Sequence, residues 1–346
     1  MMKRAISLSF FVFIVLMVPA MLFSVNVEWV KGDVRYSHLK GEWSELAVGM
    51  NLVSGDMLKT GIASETVLIE DGGEILILEN STFTVSERYV QETQKSSFML
   101  FLGRMRFKLG KASRVEPEIQ TQSVNLAIRG TDVEVGSGYD GSTIVLTNEG
   151  SVAVQGKTRT LILAQGEGTE VGFGEEPVEK FNVMTRVINW DEWFSSSQEA
   201  VKGNELRLLE RILEKFGDIQ NQIKQYEDIR ERALREKDQY ISERDRLLTE
   251  GKKEEAGEYS RKAGEKSKLA YHSFVNIRFL ALSSIGLNDM GERVYKGVVS
   301  PSDEMNEIYG QIQKIYKGIE DKYILEEDRE RLEKQAQKKK GCIKLF

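Results

Sequence analysis

Histidine and cysteine are almost absent: the chain has 346 residues, two histidines and one cysteine. A single thiol, Cys342, excludes an internal disulfide, so packing alone must hold whatever folds here. Cys342 lies one position too far from the end for a prenylation tail and reads as a free tail thiol. His38 sits in a polar stretch and His272 in a helical one, so the two do not readily join in a metal site, and no cofactor is expected. No nucleophile elbow or similar signature frames a serine, which removes the sequence support for acyl-transfer chemistry. An excess of basic charge is missing too. Lys and Arg total 48 against 54 Asp and Glu, a net charge of −6, and the pI is near 5.4. That balance offers no footprint for nucleic acid.

What is present is enough apolar residue, 40%, to build real cores, in a length that suits two domains. Lys3 and Arg4 precede an uncharged apolar stretch from Ala5 to Phe23. This pattern directs export, with the positive end held inside. Residues 1–24 are read as a signal peptide cleaved near Ser24 or as an N-terminal membrane anchor; bulky Leu22 and the length of the stretch keep the anchor open. Either way the remainder is expected outside the cytoplasm, periplasmic or envelope-associated, touching the membrane only through this segment.

Glycine divides the chain into two textures, with 19 of its 30 copies before residue 181. Short β-rich runs lie between them, such as Glu74–Leu78, Asp132–Val135 and Thr143–Leu146. Turn signals pace these runs: Gly55, Asp56, Thr60 and Gly61, then Asp71-Gly72-Gly73, Asn80-Ser81, Leu102-Gly103-Arg104, and Arg129-Gly130-Thr131. A loose echo links Val30–Val34 to Glu149–Val154, which predicts stacked short strands in a β-roll, a solenoid-like stack or a two-sheet sandwich. The order of these signals resembles the FecR domain: Gly-Asp-x-Leu-x-Thr-Gly from Gly55, Asp71-Gly72-Gly73, Asn80-Ser81, a Phe98 to Gly103 segment, then Glu118 to Val135 carrying Gln-Thr-x-Ser-Val and Ala-Ile-Arg-Gly-Thr. The likeness spans about residues 25 to 175.

Beyond Pro177 the pattern turns helical. The expected organisation is an all-β domain over 25–178, a linker with an aromatic helix over 179–202, a helical region with coiled-coil character over 203–333, and a flexible tail over 334–346. Heptads from Leu209 place Ile212, Ile219, Tyr226, Ala233, Tyr240 and Leu247 at d, and Leu209, Phe216 and Ile223, then Arg230, Lys237 and Arg244, at a. Like charges at a disfavour a symmetric parallel dimer, so an intramolecular hairpin or small bundle is expected, with basic stems lying over a neighbour. Gly251 begins a turn into a second helix, with Leu269, Phe274, Ile277, Leu280, Leu282 and Ile285 on its apolar face, ending at Gly286-Leu287-Asn288. A third starts at Ser302 or Asp303 and carries Ile308, Ile312, Ile315 and Ile319.

Few side chains suggest chemistry. Asp132 and Glu134 share a strand face, the arrangement of a glycosidase acid and base, but such pairs are ordinarily solvent-facing, with Arg129 as partner here. Asp71-Gly72-Gly73 and Asp140-Gly141 read as hairpin turns, since neither carries the spaced oxygens of a calcium loop. Arg129-Gly130-Thr131 reads as a turn lock, with Asp56 or Asp71 as carboxylate, or as an anion or carboxyl-terminus clamp. Trp190, Trp193 and Phe194 share a helical face and serve either as glue to the β domain or as a partner or sugar surface.

In the iron-transport regulators that named the FecR family, this domain lies in the periplasm and relays a signal, behind a cytoplasmic anti-sigma segment. Only Met1 to Arg4 precede the apolar stretch here, so that activity is not expected. The resemblance implies a non-enzymatic exported protein whose β domain binds an envelope protein or cell-wall glycan, with a helical arm for presentation or a second partner. A signal-receiving module working with a separate membrane regulator and a carbohydrate-active enzyme are the rivals.

Overall fold

The computed structural model describes residues 25–70, 72–90, 92–109 and 117–325. The segment expected to direct export, Asp71, Cys342 and the expected tail lie outside these residues. Among the described residues the β domain runs β1 (Val25–Lys31), β2 (Val34–His38), β3 (Ser44–Glu45), β4 (Asn51–Leu52), β5 (Asp56–Thr60), β6 (Glu65–Glu70), β7 (Gly73–Ile77) and β8 (Thr82–Val90). It continues with β9 (Thr93–Leu109), β10 (Glu118–Gln120), β11 (Asn125–Ser137), β12 (Thr143–Gln155), β13 (Thr160–Ala164), β14 (Glu167–Val171) and β15 (Phe181–Asn182).

Three of these strands are too long for one layer, and they bend. The first half of β9 pairs with β8 and β10, its second half with β7 and β11. β12 likewise pairs with β14 through Thr143–Leu146 and with β13 through Ser151–Gln155. The continuous hydrogen-bonded network is therefore folded into two layers. One reads β4-β1-β6-β7-β9-β11-β12-β14-β15, the other β3-β2-β5-β8-β9-β10-β11-β12-β13. Inward positions of both layers form one core, including Val27, Leu68, Ile75, Phe83, Phe98, Leu100, Phe107, Val135 and Val152. The rings of Phe98 and Phe107, from the two halves of β9, lie 6.3 Å apart across it.

Where the chain passes from one layer to the other, the backbone turns left-handed: Gly32, Ala63, Asn80, Gly103, Gly150 and Gly166 have φ of 78°, 54°, 56°, 98°, 76° and 79°. Gly103 shows why side chains are excluded at such a corner, because a Cβ there would overlap Ser81. The echo between Val30–Val34 and Glu149–Val154 has this as its physical content, since Gly32 and Gly150 are equivalent corners.

The helical unit follows as α1 (Trp190–Glu199), α2 (Glu205–Thr249), α3 (Lys253–Lys296) and α4 (Asp303–Glu320), closed by a π-helical turn over Asp321–Leu325. α2 and α3, of 45 and 44 residues, form an antiparallel hairpin about 65 Å long. Ser302 caps α4 by accepting from the Met305 amide at 3.2 Å. The expected stop at Gly286-Leu287-Asn288 is not there, and α3 continues to Lys296. Gly286 is a docking contact instead: a Cβ would enter the Phe101 ring of β9, so its missing side chain lets helix and sheet approach. The second core joins Phe101, Met57 and Phe173 of the β domain to Leu209, Ile212, Phe216, Ile285, Met290 and Ile312 of the helices. No helix of the described residues is long and apolar enough to cross a membrane.

Candidate functional site

The motif residues that stand out in the sequence go mostly into locks. Gly55 has φ of 101°, and a Cβ there would press on Leu39. Asp56 is buried, accepts from the Val53 amide at 2.7 Å and lies 2.6 Å from His38 Nδ1. It is therefore held by His38 on β2. Thr60 Oγ1 donates to the Leu78 carbonyl at 2.6 Å and accepts from the Ser81 amide at 2.9 Å, while Gly61 N donates to the Asp33 carbonyl at 2.8 Å. The set ties β5 to the corners on either side of it. Gly72 has φ of 80° in the β6–β7 hairpin.

Arg129, Gly130 and Thr131 lie in β11 where its pairing with β12 shifts register, and Arg129 is exposed. The neighbouring acids are engaged by arginines of β9. Asp132 is held by Arg106 of β9, at 2.7 Å from Nε, and by Asn148 at 3.3 Å. Glu134 is held by Arg104. Their side chains keep only 14% of their accessible surface, so the solvent-facing pair expected from the sequence is in fact a largely covered pair of acids in a ladder of ion pairs on β9 and β11. Burial pushes the Asp132 carboxyl up, but hydrogen bonds from Arg106 and Asn148 and the charge of Arg106 and Lys108 outweigh it and hold the group below the usual carboxylate range. Among the described residues no group of three or more His, Cys, Asp or Glu side chains could hold a metal ion.

Trp190, Trp193 and Phe194 are half-buried. Trp190 packs over Gly136 of β11, with Arg104 4.4 Å above its ring. Trp193 Nε1 donates to Glu170 of β14 at 2.7 Å. These contacts dock α1 on the sheet. Trp193 also edges a shallow cleft of about 480 Å³ with Asp140, Glu170, Lys180 and Arg186. Its polar groups already serve each other: Arg186 and Trp193 hold Glu170, Ser142 bonds Asp140 at 2.6 Å, and Lys180 reaches Glu167 at 2.8 Å.

A second cleft, of about 390 Å³, differs in that respect. One wall is Gln120–Asn125, from the last residue of β10 to the first of β11; the other is the Arg211–Gln222 stretch of α2. Phe101, Phe279 and Leu287 line it at the junction of sheet and α3. Gln120 Oε1 and Gln122 Nε2 are both buried and have no hydrogen-bond partner. Such groups are costly unless something meets them. Lys215 donates to the Gln122 carbonyl and lies 5.6 Å from the Phe173 ring centroid. Burial holds its amine down at about 8, with the charge of Lys157 adding to the effect and Asp218 opposing it.

Gln120 and Gln122 belong to the Gln-Thr-x-Ser-Val part of the motif, so that stretch pointed here, although its turn signals drew attention to Arg129 instead. Lys215 had no signal of its own: it occupies an ordinary g position beside Phe216, and only the docking of α2 on the sheet makes it a cleft residue.

Residues 56–153 match the family model described as FecR protein, and the chain carries a FecR domain. Two crystal structures, at 1.65 and 2.50 Å resolution, of a Parabacteroides distasonis protein described as a candidate anti-sigma factor are similar, each at 13% identity and a TM-score of 0.32. Each match covers 36% of this chain and 59% of theirs, so the chain spans less than two thirds of the solved chains it matches. No curated protein matches it.

Proposed function

We propose that this chain is a non-enzymatic exported protein of the cell envelope, whose FecR domain is a recognition module. Its ligand site is the cleft between Gln120–Asn125 and α2, so the helical unit completes the site that the β domain begins. The carrying observation is that buried polar atoms of Gln120 and Gln122 stand unmet in that cleft. Export rests on Lys3, Arg4 and the apolar stretch behind them. The non-enzymatic reading rests on Asp132 and Glu134, each engaged by an arginine and unavailable as a free acid and base pair. Wall polymer hydrolysed by the protein and spared by Asp132→Asn would contradict it.

A signal-receiving role with a separate membrane regulator is a second reading. α3 runs unbroken from Phe279 and Leu287 in the cleft to Lys253 at the hairpin turn, a continuous lever from site to arm. Cross-linking of the native protein in intact cells, with the N-terminal residue of the recovered chain recorded, tests both. One dominant envelope protein supports recognition, and an intact N-terminal segment beside a membrane regulator supports the relay. Recovery of wall polymer alone points to a glycan scaffold.

A further inference from the structure

Four cations line the Gln120–α2 cleft, and three are committed. Lys157 reaches Asp218 at 2.9 Å and Glu214 at 3.2 Å. Arg88 pairs with Glu118, and Arg211 donates to the Phe173 carbonyl with Glu175 3.9 Å away. Lys215 differs: among the described residues no carboxylate forms an ion pair with it. Its one bond, to the Gln122 carbonyl, leaves two of the three ammonium donors unspent. Glu214 and Asp218 of α2 are paired with Lys157, and Asp218 acts on Lys215 through its charge without an ion pair.

We propose, on the reading of this cleft as the recognition site, that it takes the carboxy-terminal end of a partner protein's extended chain. The terminal carboxylate meets the Lys215 ammonium. The last peptide unit offers one N–H and one C=O, the complement of the unmet acceptor on Gln120 and the unmet donor on Gln122, both buried and met once those side chains turn toward the cleft. A bulky apolar last side chain lies on Phe101, Phe279 and Leu287. A single compact ammonium suits one negative charge. The acids around it, Glu175, Glu176, Glu214 and Asp218, disfavour a multiply charged anion such as a phosphate. The cleft's volume falls in the range of small-ligand sites.

The test is fluorescence anisotropy on the full exported chain with dye-capped Gly-Ser-Val-Phe and Gly-Ser-Val-Leu as free acids, the same peptides amidated, and a D-Ala-D-Ala-terminated peptide for the wall. The free acids are expected to bind at least tenfold tighter than the amides. Lys215→Gln, which keeps a donor for the Gln122 carbonyl, is expected to erase that ratio with the circular dichroism unchanged. A measurement on the unmodified chain serves if that variant misfolds. Free-acid affinity should fall at least tenfold between pH 7.5 and 10 as Lys215 deprotonates amid Arg88, Lys157, Arg211, Glu175, Glu176, Glu214 and Asp218, while amide affinity stays level. Equal binding of acid and amide, no binding of any peptide, or preference for the D-Ala-D-Ala probe would overturn the proposal. If those results came while cross-linking still captured an envelope protein, recognition would stand and only the ligand class would fall. With no partner captured either, both would fall.

Discussion

The two halves of the α2–α3 hairpin come from one repeating pattern and are held by different physics. Near the sheet, Leu209, Ile212, Phe216, Ile219 and Ile223 meet Ile277, Leu280, Ile285 and Met290, all buried, with the β domain beneath. In the far half the side chains buried between the two helices include Leu247 and small ones, Ala233, Ala256, Ala263 and Ala270. The alanines of α3 recur at seven-residue steps, so close approach replaces bulk there. Around them run ion pairs such as Lys266–Glu236, Arg261–Glu265 and Arg246 with Glu243 and Glu250. Exposed pairs of this kind contribute at most ~1 kcal/mol. The charged a positions change role accordingly: Arg230 lies 5.4 Å over the Phe274 ring instead of facing a second copy. A heptad thus fixes that two helices pair, but what each half rests on is decided by its neighbours.

The contrast is sharpest at Phe216, fully buried at the junction of α2, α3 and α4. Phe216→Ala is expected to cost about 3–5 kcal/mol in chemical unfolding. A loss below about 1 kcal/mol would mean the near half is no better packed than the far one.

Two identical substitutions in α3 should then have opposite signs. Gly286→Ala forces a methyl into Phe101 and should destabilise, an overpacking cost of about 1–3 kcal/mol set against about 1 kcal/mol of gained helix propensity. At Gly264 a Cβ meets nothing within 4 Å, so Gly264→Ala should stabilise by about 0.5–1 kcal/mol. Same-sign effects in thermal unfolding would break the comparison.

Lys215 gives a pH signature confined to the near half. Its folded value of about 8 lies below the ordinary 10.5, so between these the folded state holds fewer protons than the unfolded one. Stability should therefore rise with pH across about 8 to 10.5, and Lys215→Gln should flatten that rise. An unchanged slope in the variant would show that Lys215 is well solvated. The smallest effect belongs to the far half: Arg246→Ala, on a solvated face, should leave the melting temperature unmoved within error, and a clear drop would show that its ion pairs matter.

Much of this was legible in the sequence because it is local. Gly32, Gly103 and Gly150 mark corners that only left-handed backbone can turn, Ser302 caps its helix, and the heptads announce the hairpin. Gly286 misled because a glycine that ends a helix and one that admits a neighbouring ring read alike in one dimension. Asp132 and Glu134 misled for a related reason: their partners are Arg106 and Arg104, about thirty residues away in the chain. The cleft was half legible, since Gln120 and Gln122 sit in a readable motif while Lys215 acquires meaning only once helix and sheet dock.

Photo-cross-linking in intact cells from two exposed positions tests the central claim most directly: Gln222 at the mouth of the cleft and Arg235 in the far half of the arm. A recognition cleft predicts one discrete envelope protein captured from Gln222 and lost on Lys215→Gln, with no matching capture from Arg235. Capture from Arg235 alone, or capture from Gln222 that ignores Lys215→Gln, would contradict it.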